Sequence, residues 1–148
     1  MADKFTPLER SQMMTKVKSK DTKPEKKVRS LLHSMGYRFR LHRKDLPGKP
    51  DIVLPKFRKV IFVHGCFWHG HPGCRRASRP ADNADFWNVK LDSNLRRDAE
   101  VIQRIEAAGW KPLVIWQCEI RDTEVLRLRL QRFLVEEAEE IVYERREQ

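Results

Sequence analysis

Two short, unbroken apolar runs constrain the fold of this chain more than any other feature. Val60-Ile61-Phe62-Val63 and Leu113-Val114-Ile115-Trp116 contain no polar position. Successive side chains of a strand point to opposite faces, so strands like these need apolar cover on both. Helices packed on the two faces of a sheet provide it, and the remaining periodicity is of that kind. Thr22 can cap a helix with Pro24 in its first turn, and Val28, Leu31, Leu32 and Met35 recur at i, i+3, i+4 and i+7 before Gly36 ends it. Tyr37, Phe39 and Leu41 alternate with Arg38, Arg40 and His42, which predicts a half-buried strand. Leu46-Pro47-Gly48-Lys49-Pro50 reads as a turn and Asp51-Ile52-Val53-Leu54 as a short strand. Residues 85–108 are helical in pattern, with Leu91, Leu95, Ile102 and Ile105, and Gly109 ends them. A last helix starts near Thr123 and carries Leu126, Leu130, Phe133, Leu134 and Ile141. The predicted order is helix, three strands, helix, strand, helix: a mixed central β-sheet flanked by helices, of the α/β class.

Composition narrows the partners. A chain of 148 residues suits one domain spanning 1–148. Hydrophobic residues at 40% and charged residues at 35% exclude a disordered chain. No apolar run approaches the ~20 residues of a membrane span, and the first residues lack an apolar signal region, so a cytoplasmic protein is expected. Lys and Arg number 31 against 21 Asp and Glu, a formal charge of +10. A compact basic domain of this kind most often meets nucleic acid. Residues 8–20, with Met13, Met14 and Val17 among basic residues, form a candidate basic segment that orders on DNA; a frayed terminus is the alternative.

The chemistry concentrates in the irregular residues 64–80. Cys66, His69, His71 and Cys74 fall within nine residues, and Cys118 follows the last apolar run. Cys66, His71, Cys74 and Cys118 make a Cys3His set suited to a tetrahedral structural Zn²⁺, with His69 as the alternative to His71. Four protein ligands would leave no open position for water. Isolated buried thiols are the alternative reading of the cysteines.

A second group is acidic. Asp51 opens a strand after Pro50, and the next strand ends twelve residues later at Val63-His64. The two ends adjoin if the strands form a hairpin. Glu25 sits in the first helical turn, where Thr22-x-x-Glu25 also reads as a capping box. The layout resembles the restriction-endonuclease-like nuclease core, in which acids hold Mg²⁺ against a scissile phosphate. The usual ExK half is missing here, so proton transfer falls to His64 or His69. Phe67 and Trp68 lie adjacent in a polar loop, and Phe86-Trp87 repeats the pairing; such side chains can wedge between base pairs. Trp110 and Trp116 are expected in the core. Arg75, Arg76, Arg79, Arg96 and Arg97 are candidates for phosphate contacts.

Together these residues resemble the very short patch repair (Vsr) endonucleases over about residues 10–120. The resemblance rests on residues 10–20 with Met14, Asp21-Thr22 through Glu25-Lys26, Leu46-Pro47-Gly48-Lys49-Pro50-Asp51, Val60 through His69 with His64-Gly65-Cys66-Phe67-Trp68-His69, Phe86-Trp87, residues 94–98, and Gly109-Trp110 through Cys118. It implies a Mg²⁺-dependent endonuclease that recognises a T:G mismatch left by deaminated 5-methylcytosine and nicks 5′ of the mismatched T. It also implies a structural Zn²⁺. Carried onto this chain, Asp51 is the main Mg²⁺ ligand with the Val63 carbonyl, and His69 is the general base. His64 is its partner, supported by Asp98, and Glu25 is an outer helper. Phe67, Trp68 and Trp87 form the wedge, with Met14 on the other side of the duplex. The chain departs from the family pattern at Val63, where Thr is expected, and in a loop one residue longer that moves the second loop cysteine to Cys74. A monomer acting on double-stranded DNA near the nucleoid is expected, with mismatch-repair proteins as candidate partners. The rival from another class is a zinc-stabilised, non-catalytic DNA-binding module. A same-core nuclease for other distorted duplexes is the third reading.

Overall fold

The computed structural model describes residues 21–147, with side chains through residue 135. The expected basic segment at 1–20, including Met14, and the side chain of Ile141 lie outside the described residues. The regular elements are α1 (Lys23–Ser34), β1 (Arg40–Leu41), β2 (Ile52–Leu54), β3 (Lys59–His64), α2 (Ala84–Ala107), β4 (Lys111–Trp116) and α3 (Thr123–Glu147), in the order the hydrophobic pattern predicts. The sheet runs β1-β2-β3-β4. β1, β2 and β3 pair antiparallel, whereas β3 and β4 run parallel, with α2 in the crossover between them.

The two apolar runs divide their side chains between two cores. Ile52, Leu54, Ile61 and Ile115 point to one face, against Val28, Leu31 and Leu32 of α1 and Leu126, Leu130, Phe133 and Leu134 of α3. Val53, Val60 and Phe62 point to the other, against Ile105, Val101 and Ile102 of α2. The result is a sheet with α1 and α3 on one side and α2 on the other. Burying one such aliphatic side chain contributes roughly 1.5–3 kcal/mol, so the alternation fixes the register strongly.

Helix ends follow their local chemistry. Thr22 Oγ1 accepts the Glu25 N–H at 3.3 Å, and Pro24 lies in the first turn of α1. Gly36, at φ +88°, takes the left-handed conformation after the last turn; its N–H and that of Tyr37 donate back to His33 and Leu32. Closing α1 uses the residues expected to begin β1, which is why that strand covers only Arg40–Leu41 rather than 37–42. Tyr37 and Phe39 still pack on the core, but Leu41 is exposed and His42 turns away at φ +48°. At the head of β3, Lys59 is buried although it is charged; its Nζ donates to the Phe133 carbonyl and lies 4.7 Å from the Phe133 ring centroid. That bond ties α3 to the central strand.

Candidate active site and metal cluster

The register of β2 and β3 pairs Ile52 with Ile61, which brings Asp51 to the C-terminal end of β3. There the Val63 N–H donates to Asp51 Oδ2 at 2.7 Å. Glu25, almost fully buried on α1, lies near enough to Asp51 to raise its carboxyl. Burial is the main reason the Asp51 carboxyl is pushed up to about 7. The Val63 N–H and Arg29 oppose the rise, and the neighbouring Glu25 adds to it. Two partly desolvated carboxyl groups sharing a site suit a divalent cation, which would remove their repulsion. As for the cap, Glu25 completes only half of a capping box. Its N–H reaches Thr22, but its carboxylate accepts from the Asp21 N–H at 2.8 Å and from Arg29 at 2.9 Å instead of closing onto Thr22.

On the opposite face of the strand end lies a pair of imidazoles. His64, the last residue of β3, stacks on His69 with centroids 3.8 Å apart and planes 9° from parallel. His69 Nδ1 lies 2.7 Å from Asp98 Oδ2 on α2. Asp98 therefore hydrogen-bonds His69 rather than His64, the residue it was expected to support. Burial, and then the adjacent His69, push His64 down to about 4, with Asp98 opposing, so His64 is neutral near pH 7. Its Nδ1 is buried without a hydrogen-bond partner among the described residues.

The third group follows from strand register. β3 and β4 pair His64 with Trp116, so Cys66 and Cys118, each two residues further on, emerge side by side. The loop then winds back: His71 N–H donates to the Cys66 carbonyl, and Cys74 N–H to that of His71. Gly70 and Gly73 make the turns at φ +61° and +70°, where a side chain would be strained. The ligand atoms of Cys66, His71, Cys74 and Cys118 all lie within 4.8 Å of one another. Tetrahedral bonds of about 2.0–2.3 Å would set such atoms a little under 4 Å apart, so a small inward movement would let the four hold a metal ion. Burial and the thiols of Cys66 and Cys74 push Cys118 up to about 11, so its thiolate is disfavoured unless a cation stands beside it. The backbone N–H of Arg76 holds the Cys74 thiol below its usual range. His71, not His69, joins these thiols. Its ring stacks on Trp116 at 4.3 Å, and Trp116 meets His64 edge-on at 5.3 Å.

The aromatic residues gather beside this loop. Phe67, Trp68 and Trp87 contact one another with centroids 5.1–6.0 Å apart. Trp87 is buried, whereas its neighbour Phe86 is half-exposed. Asn94 Nδ2 donates to the Trp68 carbonyl at 3.0 Å, which ties the aromatic loop to α2. Arg79 is engaged with Asp92 and Asn88, while Arg75, Arg76, Arg96 and Arg97 are exposed. Neither Trp110 nor Trp116 is deep core. Trp110 is half-buried beneath the guanidinium groups of Arg43 and Arg58, and Trp116 faces the two histidines.

The family model for DNA mismatch endonuclease Vsr matches residues 2–76. This chain belongs to the Vsr family. It is 54% identical over 134 residues to the type II nicking enzyme V.XorIIP of Xanthomonas oryzae pv. oryzae, covering 90% of this chain and 98% of that protein. It is 44% identical to the type II nicking enzyme V.NmeAIP of Neisseria meningitidis, covering 92% and 96% of the two chains. It is 41% identical to DNA mismatch endonuclease Vsr of Escherichia coli, covering 85% and 80%. The protein is accordingly an endonuclease that acts on DNA, and no helix among the described residues is long and apolar enough to cross a membrane.

Two features of this Vsr-family site are missed by the sequence reading. Arg29 and His42 join Asp21 and Glu25 in a polar knot behind Asp51, of which the i, i+4 spacing of Glu25 and Arg29 on α1 signals a single contact. Trp116 ends an apolar run that reads as ordinary core, yet it links His71 to His64. Only the pairing of β4 with β3 could have revealed that position.

Proposed function

We propose that the protein is a Mg²⁺-dependent strand-nicking endonuclease with a restriction-endonuclease-like core. In this reading it recognises a T:G mismatch arising from deaminated 5-methylcytosine and cuts 5′ of the mismatched T. The observation that carries it is the Asp51 carboxylate bonded to the Val63 N–H with the buried Glu25 near enough to raise it, an acidic pair at the end of the central strand. Asp51 and the Val63 carbonyl would hold Mg²⁺, with Glu25 beside them as helper. When bound, Mg²⁺ supplies charge stabilisation at the phosphoryl oxygen. The names of the relatives, nicking enzymes and a mismatch endonuclease, support nicking and mismatch recognition here.

The chain's own residues account for the proton. Asp98 accepts the His69 Nδ1–H, which fixes the tautomer and leaves the Nε2 lone pair free to take a proton from the attacking water. The carboxylate then stabilises the imidazolium that forms. Neutral His64 stacks on the ring and holds its plane without competing for the charge. Val63, in place of the Thr expected in the family, offers only its backbone at this point. Cys66, His71, Cys74 and Cys118 would hold a structural Zn²⁺ that braces the loop between β3 and the aromatic wedge. Phe67 and Trp68 would enter the duplex on the support of buried Trp87, with Met14 acting from the other side. Residues 1–20 would order on DNA. The enzyme would act as a monomer in the cytoplasm, at the nucleoid, with mismatch-repair proteins as partners.

Nicking of a labelled T:G duplex, with and without Mg²⁺, tests this reading. The expected product is a single cut in the T strand that depends on Mg²⁺; Asp51→Ala should abolish cutting while binding is largely kept. Wild-type protein that leaves T:G, matched and flap duplexes all intact with Mg²⁺ present would overturn it.

A further inference from the structure

Behind the acidic pair lies a knot of charged groups that the mechanism above does not use. Arg29 stands one helical turn beyond Glu25 on α1. One of its terminal nitrogens lies 2.9 Å from Glu25 Oε2, 2.9 Å from Asp21 Oδ1 and 3.0 Å from His42 Nε2. Guanidinium only donates, so His42 Nε2 is the acceptor in that contact. Asp21, Glu25 and His42 also form a group that could hold a metal ion. The guanidinium already lies within 3.0 Å of an atom of each, so the cation of this group is Arg29 itself.

The knot is anchored on both sides of the acidic pair. Asp21, at φ +57°, donates its N–H to the same Glu25 oxygen that Arg29 contacts. The His42 N–H reaches the Asp51 carbonyl at 3.4 Å. A surface ion pair would have little consequence, but the Glu25 side chain is 3% exposed and that of Arg29 15% exposed. A buried carboxylate with its acceptor bonds fixed has few orientations left.

We propose that Arg29 is a positioning residue for nicking: clamped by Asp21 and His42, its guanidinium holds the Glu25 carboxylate in place beside Asp51. This rests on the function proposed above. The role runs through Glu25, so it predicts non-additivity.

The test compares wild type, Arg29→Met, Arg29→Lys, Glu25→Gln and the double variant Arg29→Met/Glu25→Gln. kcat and KM are measured on the T:G duplex at saturating Mg²⁺. NMR of the protein without Mg²⁺ follows hydrogen exchange at the Asp21 amide. Arg29→Met should lower kcat roughly ten- to hundredfold, the cost of losing a charged hydrogen bond, and change KM by less than about threefold. Arg29→Lys should recover part of kcat, because an ammonium supplies charge without the fork. With Glu25→Gln present, Arg29→Met should change kcat by less than about twofold. The Asp21 amide should exchange roughly tenfold faster in Arg29→Met while amides in the middle of α1 keep their protection. Losses that multiply in the double variant, wild-type kcat in Arg29→Met, or unchanged Asp21 exchange would each overturn the proposal. If wild type fails to nick the T:G duplex, the functional reading falls, and Asp21 exchange still decides whether Arg29 fixes Glu25.

Discussion

Replacing Asp98 by Asn examines the imidazole half of the site most directly. The substitution keeps the shape of the side chain and removes its charge. In the structure a single 2.7 Å contact joins Asp98 Oδ2 to His69 Nδ1, and both side chains are under one-third exposed. Hydrogen bonds to charged groups are worth about 1.5–3 kcal/mol, which corresponds to roughly a ten- to 150-fold loss in rate if the bond strengthens as His69 takes up the proton. Asn has a further effect. Its amide can donate to Nδ1, which moves the ring proton to Nε2 and removes the base from a fraction of molecules. Asp98→Ala lacks that donor, so Asn should be at least as damaging as Ala. Single-turnover nicking of a labelled T:G duplex at saturating enzyme and Mg²⁺ isolates the chemical step. Duplex affinity, measured in parallel without metal, should remain within about threefold, because Asp98 is not a DNA contact in this account. A variant that nicks at half the wild-type rate or faster would refute the assignment of His69 and Asp98 as base and orienting acid.

Two further outcomes follow from the other two groups. Asp51 has a folded-state pKa of about 7, above its ordinary carboxylate value, so the folded protein binds more protons than the unfolded chain between about pH 4 and 7. Its contribution to stability is complete below that window and is lost as pH rises through it. His64, pushed down to about 4, acts in the opposite sense over much of the same range, so the comparison must be made against Asp51→Asn. The melting temperature of wild type without Mg²⁺, minus that of Asp51→Asn, should fall as pH rises from 4 to 7; a flat difference would contradict the burial of this carboxyl. For the thiol group, metal analysis should find about one Zn per chain, lost in Cys118→Ser together with roughly 3 kcal/mol of stability, or about 10 °C. Cys118→Ser that retains both metal and melting temperature would mean the cluster is only a set of thiols.

The fold was legible where burial sets the period and illegible where polar contacts cross long stretches of chain. The apolar runs of β3 and β4 announced central strands, and the four-residue spacings of Val28 to Leu32 and Leu126 to Leu134 announced helices, because both patterns are imposed by a core. β1 misled because alternation in residues 37–42 is necessary for a half-buried strand but does not guarantee a partner. β2 offers only three residues, and the end of α1 takes up the N–H groups of Gly36 and Tyr37. The choice between His69 and His71 could not be made from spacing. It depends on Cys118 arriving beside Cys66, which requires β3 and β4 to run parallel in one particular register. Arg29 was only partly legible for a related reason: its i, i+4 spacing to Glu25 on α1 is an ordinary helical signal, but its other partners lie eight residues before it and thirteen after it, and no periodicity connects those.

The same alternation that builds the core also explains why acid and imidazole chemistry meet at one strand end. Val63 shares the face of Ile61, toward α1, and its N–H reaches Asp51 where Glu25 comes up from that helix. His64 shares the face of Phe62, toward α2, and meets His69 where Asp98 comes up from the other helix. Two consecutive residues of β3 thus address the two halves of the site from opposite sides of the sheet. A phosphate in contact with both halves must lie across the end of β3, beyond the last paired residues, and cannot bind on either face. Beyond that end the chain passes directly to Cys66 and the Phe67-Trp68 pair, so a register slip of one residue in β3 would exchange the faces of Val63 and His64 and separate both from their partners. Strand register, held by the two cores, is therefore the physical variable that sets the geometry of all three groups together.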